Sequence, residues 1–577
     1  MLAGPIFNRE LITAPRKTSH FLLRAGYVAA LFVLMYTTRQ TTIGFQEVRN
    51  IGDIARFGGL VFQVFSLVQL SLVMFFALLL TAGNIAQEKD RRTLILLLMT
   101  DLRSREMVLG KLGASLLIVF VLIAASAPVM CFLYMLGGIS TDQIIWSLAI
   151  CSATAIAAGS WGALVAFWRD KTFQTLAISV LGIVAFLVLL EGAAALMGDG
   201  SIAQTIAGAL NPYRAMSAVL NPLANVESGV ATVSAVVPVV SLLAFALGMS
   251  LFTIGRLRTW NPSQLVYQRV DEDDDAATES RVKHRSIWTN PVIWREICTR
   301  AYGRKIVFIK LAYVAIAALV TWYLATSADD GSLVLGMVSR SGFAFVALTV
   351  ISLLLINAQA VTSLTSERDG QTLELLLATD ISAKEFILGK IGGALWNSKE
   401  LILVPFAMLG YLMYSGNLGI TTENMIYLII GYTALVVFSA MLGLHSGLSY
   451  ENSRSSIANS LGTIFFLFIG IFIFMILLVE ARSSFAIQFQ SFLIFIIVGS
   501  MGLYGSLTNK NPSNALTLAA ALLPFLTFYA ITEFLLEGSL GVCMWITVAY
   551  GFATIAMLVP AVSDFDVALG RTTSDNG

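Results

Sequence analysis

Read only as hydrophobic and polar positions, the chain is a series of long apolar runs separated by short polar connections. A helix needs about 20 apolar residues to cross a hydrocarbon core of roughly 30 Å. Runs of that order lie near 21–36, 60–83, 112–136, 143–167, 173–190 and 231–255, and after a polar gap near 306–325, 341–364, 392–413, 424–447 and 457–479. The apolar region from 491 to 560 reads in two ways: one final helix at about 540–560 preceded by re-entrant segments, or three helices. A backbone in lipid must satisfy its own hydrogen bonds, so such runs fold as helices. The pattern predicts an all-α polytopic membrane protein with twelve transmembrane helices, or fourteen if 491–560 holds three.

The polar connections carry a second pattern. EKDRRTLILLLMTDLRSREMVLGKLG, from Glu88, recurs as ERDGQTLELLLATDISAKEFILGKIG, from Glu367, with 14 identities in 26 positions and no gap. The shared residues include Glu88/Glu367, Asp90/Asp369, Thr93/Thr372, Leu97/Leu376, Glu106/Glu385 and Lys111/Lys390. GPIFNREL at 4–11 answers NPVIWREI at 290–297, sharing Pro5/Pro291, Arg9/Arg295 and Glu10/Glu296, and ALNPY at 209–213 answers ALLPF at 521–525. Repeated order of this kind marks a tandem duplication of a six-helix unit. The first unit is residues 1–255 with its loop at 84–111, the second is 290–577 with its loop at 363–390, and 256–289 is a charged linker containing DEDDD and RVKHR. Equivalent loops on one side of the membrane relate the units by an axis along the membrane normal, so a pathway between them would be lined by both.

Glu88 to Thr100 reads as one short amphipathic helix, with Leu94, Leu97 and Leu98 on one face and Glu88 and Arg92 as an i, i+4 pair on the other; Leu373, Leu376 and Leu377 occupy the same places in the second copy. A turn then leads to a new helix, which Ser382 and Glu385 start with a capping box in the second copy; in the first, Asp101 or Ser104 must cap. Pro5 and Pro291 suit the first turn of a helix. That helix would place Phe7 and Leu11, or Ile293 and Ile297, in the membrane interface and Arg9-Glu10, or Arg295-Glu296, toward water.

Composition agrees with the membrane reading: mean hydropathy is +0.81, with 57% hydrophobic and 12% charged residues. Of the 36 Lys and Arg, six (Arg39, Arg49, Arg56, Arg214, Arg340 and Arg482) fall in loops assigned to the outside, which puts both termini in the cytoplasm. The N-terminus lacks the apolar core and cleavage site of a secretory signal. Cys131, Cys151, Cys298 and Cys543 are scattered and His20, His284 and His445 are far apart, so no disulfide framework and no metal site is implied. No phosphate-binding loop occurs, because Gly110-Lys111 and Gly389-Lys390 lack the upstream Gly and the following Ser or Thr. Lys399 and Glu400 read as snorkelling charges and His445 as a packed one, while Gln63, Gln69, Asn357 and Gln359 either face a pathway or bond helix to helix.

The E-x-x-x-x-T-L-x-L-L-L run followed by E-x-x-L-G-K, with the six-helix layout around it, resembles the cytoplasmic loop of ABC exporter permeases of the type-2 class. Asp101 and Asp380 stand where many members have Pro. The resemblance implies that each loop is a coupling helix docking on a separate ATPase, and that the Pro5 and Pro291 helices are interfacial helices touching the same partner. ALNPY and ALLPF would be outer re-entrant segments. It further implies two ATPase copies per chain, ATP and Mg bound by that partner and no cofactor by this chain, with lipids but no nucleic acid as other partners. The setting would be the bacterial plasma (inner) membrane, and the chain would be a non-enzymatic permease of an exporter. A secondary transporter with parallel repeats is the alternative, but it needs ionisable residues deep in the spans. A non-transporting scaffold would need a large soluble surface.

Overall fold

The computed structural model describes residues 4–13, 18–44, 51–197, 201–221, 235–261, 288, 290–298, 306–326, 338–373, 381–415, 420–481, 485–508 and 513–568. Within them lie twenty helices. The N-terminal ten are α1 (Gly4–Thr13), α2 (Thr18–Thr42), α3 (Ile51–Asp90), α4 (Thr93–Leu98), α5 (Ser104–Leu136), α6 (Thr141–Trp168), α7 (Thr172–Met197), α8 (Ile202–Leu210), α9 (Pro212–Leu220) and α10 (Val236–Trp260). The C-terminal ten are α11 (Pro291–Cys298), α12 (Ile306–Thr326), α13 (Arg340–Asp369), α14 (Ala383–Asn397), α15 (Lys399–Tyr414), α16 (Thr422–Ser449), α17 (Ser453–Ala481), α18 (Phe485–Leu507), α19 (Asn514–Leu535) and α20 (Ser539–Ala568). Thirteen of them are long and apolar enough to cross a membrane.

Three results bear on the expected spans. The 491–560 region holds three helices, α18, α19 and α20, each long enough to cross. The run at 392–413 is interrupted: α14 and α15 meet at buried Ser398, whose N–H is shared between Ala394 O and Leu395 O and whose hydroxyl donates to Gln359 Oε1 at 2.6 Å. The cause is the polar sequence Asn397-Ser398-Lys399-Glu400. Asn397 Nδ2 donates to Glu296 O at 3.1 Å, Lys399 lies over the Trp396 ring at 4.3 Å, and Glu400 pairs with Lys310 at 2.7 Å. Side chains that find partners off the helix compete with its ladder. Third, the two Pro motifs differ. Asn211 separates α8 from α9, its Oδ1 accepting from Tyr213 N at 2.9 Å, but Pro524 sits inside continuous α19. Leu523 occupies the place of Asn211 and has no oxygen with which to cap a new helix, so ALLPF is not a re-entrant break.

Packing follows a repeated scheme. In the N-terminal set α3 packs on α5, α6 and α7, α6 on α10, and α1 on α5; in the C-terminal set α13 packs on α15, α16 and α17, α16 on α20, and α11 on α14. Between the sets, α7 lies against α12 and α13, while α17 lies against α2 and α3. Helix α7 thus grips the first two long helices of the C-terminal set and α17 the first two of the N-terminal set, and α18 adds a further contact on α2. The junction is aromatic and aliphatic: Phe75 stacks on Phe465 with ring centroids 3.9 Å apart and planes within 5°. Small residues permit the closest approaches within each set. A Cβ on Gly162 would meet Leu78 O at 3.0 Å, and one on Gly443 would meet Ala360 Cβ and Asn357 O at 2.8 Å. Buried amides tie helices together: Gln69 Nε2 donates to Ser126 Oγ at 2.9 Å and Asn357 Nδ2 to Ser439 O at 2.9 Å, whereas Gln63 is exposed.

Gly443→Val should therefore force α13 and α16 apart and destabilise the purified chain by about 1–3 kcal/mol. Gly470→Val, where a Cβ meets nothing within 4 Å, serves as the control. Thermal melts in detergent that move equally for both variants would show that this close approach is not a constraint.

Candidate functional site

At 40 residues α3 is about 60 Å long, twice the apolar thickness of a bilayer. Its end therefore stands clear of the membrane and carries the repeated polar segment. Arg92, at φ 58°, reverses the chain immediately after α3. A left-handed conformation costs a non-glycine residue about 1–2 kcal/mol, yet Gln371, at the matching place after α13, adopts φ 56°. The same bonds close both turns: Thr93 Oγ1 donates to Glu88 O at 3.2 Å, and Thr372 Oγ1 to Glu367 O at 3.1 Å. Glu88 thus belongs to α3 and only Thr93–Leu98 form the short helix, so the expected Glu88–Arg92 pair does not form and Arg92 is exposed.

The short helix α4 seats Leu94 and Leu98 among Met107, Val108 and Leu257, with Leu97 half-buried beside them. Its other face leaves Leu96 and Met99 each 65% exposed. In the second copy Leu373 packs against the core; Leu376 and Leu377 lie outside the described residues. The helices that follow start as expected in one copy and differently in the other. Ser382 Oγ accepts from Glu385 N at 3.2 Å while Glu385 Oε2 accepts from Ser382 N at 3.1 Å. In the first copy neither Asp101 nor Ser104 caps; Ser104 is already helical, and Glu106 Oε2 accepts from Arg103 N at 3.1 Å. Glu106 reaches back by itself because Arg103 has no side-chain acceptor.

Both loops are clasped at their base. Lys111 pairs with Glu88, and Lys390 Nζ donates to Glu367 Oε1 at 2.7 Å, Glu296 Oε1 at 2.6 Å and Ser363 O at 3.2 Å. Arg295 bonds Glu367 as well and lies 3.3 Å from Glu296. Four charges from three helices thus share one site, and Lys390 is only 2% exposed. Burial would raise the Glu296 carboxyl, but Lys390 and Arg295 outweigh it and hold the group below the usual carboxylate range. Glu296 therefore faces inward rather than toward water, since its partner Lys390 lies across on α14. Its counterpart Glu10 pairs with Arg9 at 3.1 Å on the surface.

Pro5 and Pro291 begin α1 and α11 in exposed positions. Asn290 starts α11, its Oδ1 accepting from Val292 N and Ile293 N, each at 3.0 Å, while its Nδ2 donates to Glu385 O at 2.9 Å. Both short helices lie on protein: a Cβ on Gly113 would come within 3.0 Å of the Phe7 ring, and one on Gly389 within 2.8 Å of Val292. Phe7 therefore packs on α5, while Leu11 stays 47% exposed.

The two aspartates are used differently. Asp90 accepts from the Thr172 hydroxyl within its own set, whereas Asp369 accepts from Arg91 at 3.2 Å across the junction. Lys89 and Arg368 were not singled out in the sequence, yet they perform one task. Lys89 Nζ donates to Phe167 O and Arg169 O at 2.6 and 2.9 Å, and Arg368 Nη1 to Gly447 O and Tyr450 O at 3.0 and 2.5 Å, each capping the end of a long helix. The clue was a basic residue between the invariant Glu and Asp of both copies, kept in charge but not in identity. Among the described residues no group of His, Cys, Asp and Glu is arranged to hold a metal ion. Each repeated segment thus follows one long helix, precedes another and is tied to both by a Glu–Lys pair.

Residues 31–276 match the family model of ABC-2 family transporter proteins. The matched ABC-2 segment begins within α2, contains the first loop with its Glu88–Lys111 clasp, and runs past α10. The family is one of membrane transport components, and the many apolar helices of this chain agree with an integral membrane protein. No curated protein and no solved structure matches the chain.

Lys390→Met would leave Glu296 and Glu367 buried with Arg295 as their remaining cation, a loss of about 3–5 kcal/mol. A carboxyl held below its unfolded value stabilises the fold above that value, near 4.3 for Glu, and the contribution is lost as pH falls through the lower folded value. The wild type should thus lose stability as pH falls below about 4, and Lys390→Met, which removes the main cause of the lowered value, should start less stable and lose less over that range. Identical pH profiles for the two proteins would contradict this assignment.

Proposed function

We propose that the chain is the membrane-spanning permease of an ATP-driven exporter, with two permease units joined in one polypeptide and both termini in the cytoplasm of a bacterial cell. The ATP and Mg sites belong to a separate ATPase, two copies of which dock on the loops at 88–111 and 367–390. One observation carries the reading: the two loops share the left-handed turn at Arg92 and Gln371, the Thr-to-Glu bond and the Glu–Lys clasp. The ABC-2 match of the first unit and the reciprocal grip of α7 and α17 support it. Closure of the ATPases would press on the exposed face of α4, where Leu96 and Met99 offer apolar contact. The Glu88–Lys111 clasp makes α3 and α5 move together, and α3 packs on α17 of the other unit. The two units then rock about their junction, and Arg91 parts from Asp369 when the cytoplasmic ends separate.

Native mass spectrometry of the complex should give one chain with two ATPases, and Leu96→Glu with Met99→Glu should reduce this to one. A dominant species of two chains with two ATPases would refute the fused arrangement. Unchanged stoichiometry in the double variant would refute α4 as a docking helix.

A further inference from the structure

The junction between the two units encloses one small cavity. Helices α3, α7, α13 and α17 line it with Leu78, Leu176, Ser179, Leu354, Ala358 and Leu461 among others, and its volume is about 10 Å³, room for a single water. Ser179 is its only polar lining residue. The side chain is 0% exposed, and its Oγ has no hydrogen-bond partner, not even the carbonyl one turn back on α7. Other buried hydroxyls of the spans, such as those of Thr81 and Thr154, do bond that carbonyl. A water is a poor remedy, since it needs two to four polar partners and the cavity offers one. An orphaned buried hydroxyl is costly, and in a native protein it calls for a ligand or another specific explanation.

The other unit shows what has been left out. Ser179 lies seven residues beyond the start of α7 at Thr172, and Ser460 lies seven beyond the start of α17 at Ser453. Ser460 Oγ donates to Asn357 Oδ1 at 2.8 Å, and Asn357 is held in turn by Ser439 O. In the alignment that pairs Glu88 with Glu367, the place of Asn357 on α3 is taken by Leu78, which lines the cavity. One serine is satisfied by an amide of its own unit; the other is left facing a leucine.

We infer that this cavity is the closed form of a binding site for a lipophilic molecule carrying one hydrogen-bonding group, with Ser179 as the residue that orients it. The inference rests on the permease reading and names the substrate class for it. The apolar walls are not imposed by the bilayer, because this junction does not face lipid and both units bury amides elsewhere, at Gln69 and Gln359. An ionic substrate would find no counter-charge here and would lose its hydration. There is one such site per chain, because Asn357 occupies the equivalent hydroxyl of the second unit. The cavity must widen for occupancy, which parting of the units along α3, α7, α13 and α17 provides.

The test uses the full chain in lipid nanodiscs with two photoreactive probes, a diazirine-bearing octanol and a diazirine-bearing octane, and maps adducts by mass spectrometry. The alcohol should label the cavity-lining parts of α3 and α7 in competition with excess octanol, and more strongly than the alkane. Ser179→Ala should lower alcohol labelling about fivefold, the worth of one hydrogen bond, and leave alkane labelling unchanged. Leu78→Asn should lower it as well by supplying the missing amide, whereas Ser460→Ala should not. Equal alcohol labelling of the cavity in wild type and Ser179→Ala, or no preference for the alcohol in the wild type, would overturn the proposal. Labelling is read without nucleotide, so failure of the wild-type chain to retain an ATPase would strike the permease reading alone.

Discussion

The Lys390 ammonium lies among Glu296, Glu367 and Ser363 O with almost none of its surface open to water. A buried charge is tolerable only when its partners are fixed, and here they come from α11 and the end of α13, with Lys390 itself near the start of α14. Displacing any one of these elements strands a charge in a poorly solvated place. The end of α13 and the start of α14 are therefore held together. Lys111 and Glu88 make the matching clasp in the first unit, with side chains 12% and 27% exposed, so that joint is wetter and looser. These two ion pairs tie the end of one long helix to the start of the next in both places.

The same contrast runs deeper into the membrane. The second unit is stitched by amides: Asn357 joins α13 to α16 and α17, and Gln359 holds the interruption at Ser398. The first unit has Leu78 opposite an unbonded Ser179, and its α5 is continuous over 33 residues. At the ends of α3 and α13 Arg91 reaches across to Asp369, while Gly370 at the place equivalent to Arg91 has no side chain to reach back. The C-terminal helices are thus bonded to one another where the N-terminal ones leave Ser179 Oγ unbonded at the junction.

Much of this was legible in the sequence. Apolar periodicity located the helices, and the repeat located both loops, because the residues it preserved are those of the clasp and of the Thr-to-Glu bond. The 491–560 region left two counts open because its apolar runs are borderline in length. Other features were hidden by long-range pairing. Glu296 looked solvent-facing because its neighbour is Arg295, and its true partner is 94 residues away. Arg92 has no local preference for a left-handed turn, so a single helix was the natural reading; the turn exists because Thr93 and Thr372 bind back to Glu88 and Glu367. The interruption at Ser398 depends on Gln359, on another helix. Lys89 and Arg368 escaped notice because they share charge rather than identity.

If clasped loops and membrane helices move as one body, the two ends of the helices must shift together. Spin labels at Arg105 and Lys384, exposed matching positions at the start of α5 and α14, report the inner ends; labels at Met135 and Tyr414, which are 82% and 92% exposed, report the outer ends of α5 and α15. Pulsed electron double resonance on the ATPase complex, with and without nucleotide, measures both separations. The inner pair should close and the outer pair change with it, in the same fraction of molecules. Inner labels that move while the outer pair keeps its distance would contradict it.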